Sequence, residues 1–235
     1  MAQATPDAHY IRDLFDRIAP VYDDLNQSLS FGLHTVWKQM AVDWSGTQLG
    51  MTVLDVCCGS GDLALLLARQ VGAHGQVTGA DFAVEQLAIA AKRAAAKGYT
   101  PRTNWVEADA LNLPFAANHY DAATMGYGLR NLIDIPRGLR ELHRVLKPGA
   151  KAAVLDFHRP NSILVQQFQQ WYLDTIVVPA AQRCGLTEEY AYIGPSVDRF
   201  PISREQVELA HQAGFSKAVH YPLAGGMMGV LVAQK

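Results

Sequence analysis

The chain is poor in cysteine, in charge and in long apolar runs, and each shortage removes a class of protein. Three cysteines, two of them adjacent at Cys57 and Cys58, argue against a disulfide framework and suit a reducing compartment. Its eight histidines form no His-x-x-x-His pair and its cysteines no Cys-x-x-Cys, so no metal site is expected. Charged residues make up 18% and the formal net charge is −2, which gives no electrostatic footing for nucleic acid. No stretch approaches the roughly 18 apolar residues of a membrane-spanning helix. The opening Met1–Tyr10 lacks the basic and apolar regions of a secretory leader, so none is expected. Internal repeats and linker-like composition are missing too. What remains is 235 residues, 49% hydrophobic, enough for one sizeable core and short for two.

Within that core the most informative stretch is Val53-Leu-Asp-Val-Cys-Cys-Gly-Ser-Gly-Asp-Leu-Ala64. It reads as a short apolar strand carrying an acid, then a glycine turn that opens a helix. Gly59 and Gly61 lack the Cβ atoms that would keep a ligand from the backbone, and a helix starting near Asp62 aims its unpaired N–H groups at whatever lies above. Gly59-x-Gly61-x-x-Ala64 also satisfies the dinucleotide fingerprint, so the turn indicates a nucleoside-bearing cofactor without naming it. The acids that follow narrow the choice. Gln76–Asp81 reads as a second strand ending in Asp81, about 20 residues past the turn, where a carboxylate can accept ribose hydroxyls. Asn104–Asp109 reads as a third strand ending in Asp109, placed to meet an exocyclic amino group such as that of adenine. A nicotinamide dinucleotide has no standing need for that third acid, whereas S-adenosylmethionine does. Asp55, an acid inside an apolar strand, is costly to bury without a partner, and a ligand ammonium could supply one. Aspartate also favours caps and loops, so any one of these acids could be merely local. Three in register after three strands favour the cofactor.

Hydrophobic runs and punctuation then give an alternating β/α order. Residues 61–70 form a helix, Glu85–Lys97 a second one stopped by Gly98, and Tyr120–Met125 a fourth strand. Pro136 suits the first turn of a helix that runs to Leu146, Lys147-Pro148-Gly149 ends it, and Lys151–Phe157 is the fifth strand. Such alternation implies a mainly parallel sheet covered on both faces, with ligands at the strand carboxyl ends. Two segments lie outside this unit. Residues 9–44 carry apolar positions at helical spacing, and residues 162–183 form an aromatic-bearing helix kinked or ended at Pro179. Both read as ordinary packing helices or as covers over a cleft with a greasy substrate.

These local patterns join into a larger resemblance. Leu14–Asp23, Leu25-Asn26, Ser30–His34 and Trp37-Lys38 form a long N-terminal signature; Gly128-Leu-Arg-Asn131, Arg144–Gly149, Ser196-x-x-x-Phe200-Pro201 and Ala213-Gly-Phe215 follow it. With them the chain resembles the ubiquinone/menaquinone biosynthesis C-methyltransferases almost end to end. It departs at Leu155-Asp156-Phe157, where the family usually has Leu-Glu-Phe, and in the tail Gly225–Lys235, which lacks an expected histidine. With Trp37–Val42 and Cys57–Asp62, that tail is similar to the branch from oxygenic phototrophs that methylates the naphthoquinol precursor of phylloquinone; menaquinone is the neighbouring possibility.

The resemblance implies an α/β, Rossmann-like class I S-adenosylmethionine-dependent methyltransferase fold in a single domain. Its mainly parallel seven-stranded sheet has helices on both faces. The parts would be an N-terminal helical cap (1–45), a cofactor-binding core (46–157), a substrate lid (158–202) and a C-terminal helix with strands (203–235). It implies S-adenosylmethionine held by Asp55, Gly59, Ser60, Gly61, Asp81, Phe82, Asp109, Ala110 and Gly126. Arg130 with Asn131 would polarise the oxygen of a lipophilic quinol, Arg130 as a donor since a guanidinium stays protonated. The alternative for Arg130 is structural pairing with Asp23 or Asp24. Tyr22, His34, Tyr127 and Tyr190 are substrate-pocket candidates, His34 also a candidate base. The protein would be cytoplasmic, with peripheral membrane contact by residues 162–183 and a homodimer left open. A nicotinamide oxidoreductase, a non-catalytic scaffold, and a methyltransferase for another lipid such as a sterol or tocopherol precursor are the rival readings. The first lacks the common Tyr-x-x-x-Lys pair.

Overall fold

The computed structural model describes residues 32–183 and 185–235. Tyr22, Asp23, Asp24 and most of the N-terminal signature lie outside the described residues. The described chain runs α1 (Leu33–Trp44), β1 (Thr52–Val56), α2 (Asp62–Val71), β2 (Gln76–Asp81), α3 (Val84–Ala96), β3 (Thr103–Glu107), β4 (Tyr120–Gly126), α4 (Ile135–Val145) and β5 (Leu146–Phe157). Four short helices follow, α5 (Ile163–Tyr172), α6 (Val178–Gln182), α7 (Thr187–Ala191) and α8 (Ile193–Arg199), then α9 (Ser203–Gln212), β6 (Lys217–Leu223) and β7 (Met228–Gln234). The strands form a seven-stranded sheet in the order β3-β2-β1-β4-β5-β7-β6. β1 to β5 are parallel, while β7 runs antiparallel between β5 and β6. This is the mainly parallel, doubly covered sheet that the alternating pattern implies.

The period of two along each strand divides the core into two layers. Leu54 and Val56 of β1, Ala152 and Val154 of β5, and Leu231 of β7 face α4 and α9, where Leu139, Leu142, Val145 and Ala210 are buried. Val53, Ala153, Leu155 and Val230 face the opposite side, covered by Ala41 and Val42 of α1 and by Leu63, Ala64, Leu67, Ala68 and Val71 of α2. The α2 set falls at i, i+1, i+4, i+5 and i+8, one face of a helix. Leu67 is 0% exposed, and its burial contributes about 2–3 kcal/mol. A third cluster, Leu173, Val177, Ala181, Leu186, Tyr190, Ile193 and Val197, holds α5 to α8 together and reaches the sheet through Phe157 at the end of β5.

Element boundaries differ from expectation at three places, each with a local cause. β3 stops at Glu107, short of Asp109. Asp109 instead accepts the Leu111 N–H on its Oδ1 at 2.8 Å, a side-chain turn that competes with strand pairing. β5 begins at Leu146, because Leu146 pairs with Tyr120 and the strand resumes at Lys151 after a register shift. The helix at 162–183 widens before Pro179: Leu173–Val177 forms an i→i+5 turn and Pro179 falls in the first turn of α6. Proline lacks the N–H that an α-helical bond to residue 175 needs, and the wider turn accommodates that loss. Among the described residues, no helix is long and apolar enough to cross a membrane.

Candidate functional site

The carboxyl ends of β1, β2 and β4 border a cavity of about 280 Å³, close to the lower end of the roughly 300–1,000 Å³ seen for small-molecule sites. Its floor is the turn after β1. Cys57 takes φ 53°, Gly59 φ 51° and Gly61 φ 89°, a left-handed path that folds the chain back into α2. The Cys58 N–H donates to the Ala80 carbonyl at 3.1 Å and the Gly61 N–H to the Cys58 carbonyl at 2.9 Å. Gly59 and Gly61 serve different ends. A Cβ on Gly59 would meet only the Gln86 amide oxygen at 3.8 Å, so its side of the turn is open, as a ligand approach requires. A Cβ on Gly61 would lie 2.9 Å from Ala90 Cβ and 3.0 Å from the Trp105 ring. Gly61 is therefore needed for packing α2 against α3 and β3, a demand that the ligand-approach reading of that residue did not include. Gly126 lines the cavity, and a Cβ there would strike Leu63 at 2.7 Å.

Four acids line the cavity, Asp55, Asp62, Asp81 and Asp109. Asp81, 6% exposed, accepts the Gly59 N–H on Oδ2 at 2.8 Å and the Ala83 N–H on Oδ1 at 2.9 Å. It braces the turn and the start of α3, and a carboxylate still has lone pairs for ribose hydroxyls. Asp109 keeps its second oxygen without a protein partner among the described residues, in the same wall as Phe82 and Ala110. Asp55 is 0% exposed. Its Oδ1 accepts the Thr124 hydroxyl at 2.7 Å, and its Oδ2 is buried with no partner among the described residues. Burial raises its pKa to about 7, against the Thr124 hydroxyl and the Ala64 N–H, which favour the anion. Asp62, in the first turn of α2, pairs with Lys38 and with Arg93 at 2.6 Å. Burial opposes its ionisation, but the two cations hold its pKa below the ordinary value. Arg93 also donates to the carbonyl and hydroxyl of Ser60, each at 2.9 Å, which orients that residue in the turn.

The structure thus brings Asp55, Gly59, Ser60, Asp81, Phe82, Asp109, Ala110, Gly126, Tyr127 and Asn131 to one cavity. Arg130 is elsewhere. Its side chain is 6% exposed and pairs with Asp156 Oδ1 at 3.1 Å. It also donates to Ser196 Oγ at 2.7 Å and Asn131 Oδ1 at 3.1 Å, and lies 5.4 Å from the Phe157 ring centre. The guanidinium is absent from the described lining of this cavity, and its link to the lining runs through Asn131. Asp156, from the strand end that departs from the family pattern, is the structural partner. Burial raises its pKa although Arg130 pulls the other way. His34 is buried on α1 beside Lys38, and Tyr190 sits in the α5–α8 cluster, 5% exposed. Neither is among the described residues that line this cavity.

Several lining residues escaped the sequence reading. Lys38 and Asp62 did carry a signal, Lys38 in the Trp37-Lys38 motif and Asp62 directly after Gly61. Leu111, Leu113, Leu132 and Ile133, which make the apolar wall beside Asp109 and Asn131, come from loops with no periodicity to mark them. An acid-lined cavity with an apolar wall, two carboxylate oxygens, on Asp55 and Asp109, without partners among the described residues, and no anion cradle among them beyond the helix start fits a cationic, phosphate-free nucleoside.

Comparison with known proteins gives the same direction. The family model described as the ubiE/COQ5 methyltransferase family matches residues 3–235. The 2-phytyl-1,4-naphtoquinone methyltransferase of Nostoc sp. is 63% identical, over 96% of this chain and 98% of that protein. The protein of the same name from Synechocystis sp. is 56% identical over 98% and 97%. The chloroplastic 2-phytyl-1,4-beta-naphthoquinone methyltransferase of Arabidopsis thaliana is 50% identical over 95% and 87%. Among solved structures, an Aquifex aeolicus SAM-dependent methyltransferase superposes with TM-score 0.63 at 21% identity, over 84% of this chain and 88% of that one. The [4+2]-cyclase SpnF superposes with TM-score 0.65 at 21% identity, over 100% and 99%. At such identities these two structures speak for the fold alone.

Proposed function

The chain belongs to the ubiE/COQ5 methyltransferase family and is an S-adenosylmethionine-dependent methyltransferase; from that premise we propose that it methylates a ring carbon of a phytylated naphthoquinol, the precursor of phylloquinol. What supports this reading is near-full-length identity of 50–64% to relatives named for that reaction, together with the acid-lined cavity. When bound, the cofactor supplies an electrophilic methyl on a good leaving group, so the protein's task is alignment and control of charge. In this reading Asp109, Ala110 and Phe82 take the adenine, Asp81 and the Gly59–Ser60 turn the ribose, and the orphaned Asp55 oxygen the ammonium. Tyr127, Asn131, Leu132 and Ile133 border the quinol. Ionising a quinol hydroxyl pushes electron density onto the adjacent carbon, which makes the reduced ring the nucleophile. Asn131 is the amide side chain of that group and, in this reading, meets the ring oxygen; its Nδ2 donates to the Tyr127 carbonyl at 2.8 Å, and Arg130 fixes it from behind.

The same reading places the protein in the cytoplasm against a membrane, where a phytylated substrate resides. α5 supports this: Ile163, Leu164, Phe168 and Trp171 are 70, 77, 49 and 52% exposed, and the helix carries no charged side chain. Incubation with labelled S-adenosylmethionine and either reduced 2-phytyl-1,4-naphthoquinone or demethylmenaquinol, followed by mass analysis, tests the substrate. Label is expected on the phytylated ring. Label confined to demethylmenaquinol would move the substrate to the neighbouring quinol, and label on neither would overturn the reading.

A further inference from the structure

Lys38 is the one basic side chain among the described residues that line the cavity, and it is 4% exposed. A buried ammonium has three N–H donors and needs acceptors for them. Two are accounted for: Nζ pairs with Asp62 and lies 3.3 Å from His34 Nδ1. The third has no acceptor among the described residues. Asp62 does not neutralise Lys38 alone, because it is shared with Arg93 at 2.6 Å. The ammonium stands 5.7 Å from the ring centre of Tyr127, between the helix start at Asp62 and the wall assigned to the quinol. The remaining charged side chains of the lining are acids, which suit the cofactor's ammonium and sulfonium but repel its carboxylate.

We propose that Lys38 is the cofactor's carboxylate anchor, donating its third N–H to the amino-acid end of the nucleoside while Asp55 takes the adjacent ammonium. The amino-acid end then lies against α1 and α2, and Lys38 selects a complete aminocarboxypropyl group over a truncated thioether. This rests on the cofactor reading above. A charge-assisted bond of this kind is worth about 1.5–3 kcal/mol, or about 10- to 100-fold in affinity.

Calorimetric titration tests it with S-adenosylhomocysteine, with its decarboxylated analogue 5′-(3-aminopropylthio)-5′-deoxyadenosine, and with 5′-methylthioadenosine. The wild-type protein should bind S-adenosylhomocysteine at least about tenfold more tightly than the decarboxylated analogue. Lys38→Met should erase that preference and leave methylthioadenosine within about twofold of wild type. Equal losses for all three nucleosides would mean that Lys38 only braces Asp62, and would overturn the proposal. So would a wild-type protein indifferent to the carboxylate, a result that does not depend on whether the variant folds. A wild-type protein that binds none of the three would instead sink the cofactor reading.

Discussion

Asp55 is a carboxyl group that folding handicaps, and Asp55→Asn measures by how much. In the folded chain its pKa rises from the ordinary 3.8 to about 7 because burial disfavours the anion. The folded state therefore holds a proton that the unfolded state releases between those values, so stability falls as pH climbs from 4 to 7. At about 1.4 kcal/mol per pH unit the full penalty above pH 7 is about 4 kcal/mol. Asparagine cannot ionise, so the variant escapes it. Its amide oxygen can still accept from Thr124, but its NH₂ replaces an Oδ2 that has no protein partner, at a cost of about 1–3 kcal/mol at every pH. The expected outcome is a crossover: the ligand-free variant is less stable than wild type by about 1–3 kcal/mol near pH 4 and more stable by about 1–3 kcal/mol near pH 8. Urea denaturation at half-unit pH steps, with m unchanged, reads the difference. A stability gap that stays constant from pH 4 to pH 8 would refute the argument, since it would mean that Asp55 ionises alike in both states. The variant should also lose affinity for S-adenosylhomocysteine, whose ammonium would no longer meet a carboxylate. In wild type that affinity should rise with pH towards 7 as Asp55 gives up its proton.

Two further outcomes follow from contacts away from the cavity. Arg130→Met strips Asp156 of its cation at 4% exposure and should cost about 3–5 kcal/mol, read as a lowered denaturation midpoint, with part of the loss recovered in the double variant carrying Asp156→Asn. Turnover per folded molecule should fall by no more than about tenfold, because Asn131 loses its brace but stays in the cavity wall; a fall of about 100-fold at unchanged stability would restore a direct part in stabilising the developing phenolate. On α5, Leu164→Asp and Phe168→Asp exchange exposed apolar side chains for charge. Each should weaken co-sedimentation with phospholipid vesicles about tenfold while nucleoside binding stays as in wild type; vesicle binding unaltered by either would remove the helix from the membrane surface.

The parts of this protein that could be read along the chain are those governed by neighbours in sequence. The turn through Gly59 and Gly61 is dictated by residues that tolerate positive φ, the strands by alternation such as Leu54 and Val56 against Val53, and the acids by their place at the end of β2 and two residues beyond β3. Charge pairing obeys no such rule. Lys38 meets Asp62 across 24 residues and Arg130 meets Asp156 across 26, distances over which composition and spacing carry no information about contact. That is why Arg130, conspicuous in Gly128-Leu-Arg-Asn131, invited a catalytic reading, while Lys38, the cation that does line the cavity, stood only as part of the Trp37-Lys38 signature with no role attached. The glycines teach the same point from the other side. Gly59 and Gly61 look equivalent in the motif, yet Ala90 from α3 and the Trp105 ring from β3, both distant in sequence, show that Gly61 is held by packing. A residue type tells what a position can do, and the tertiary partner decides which of those things it does; for Arg130 that partner is Asp156, and it turns a candidate donor to substrate into the brace behind Asn131.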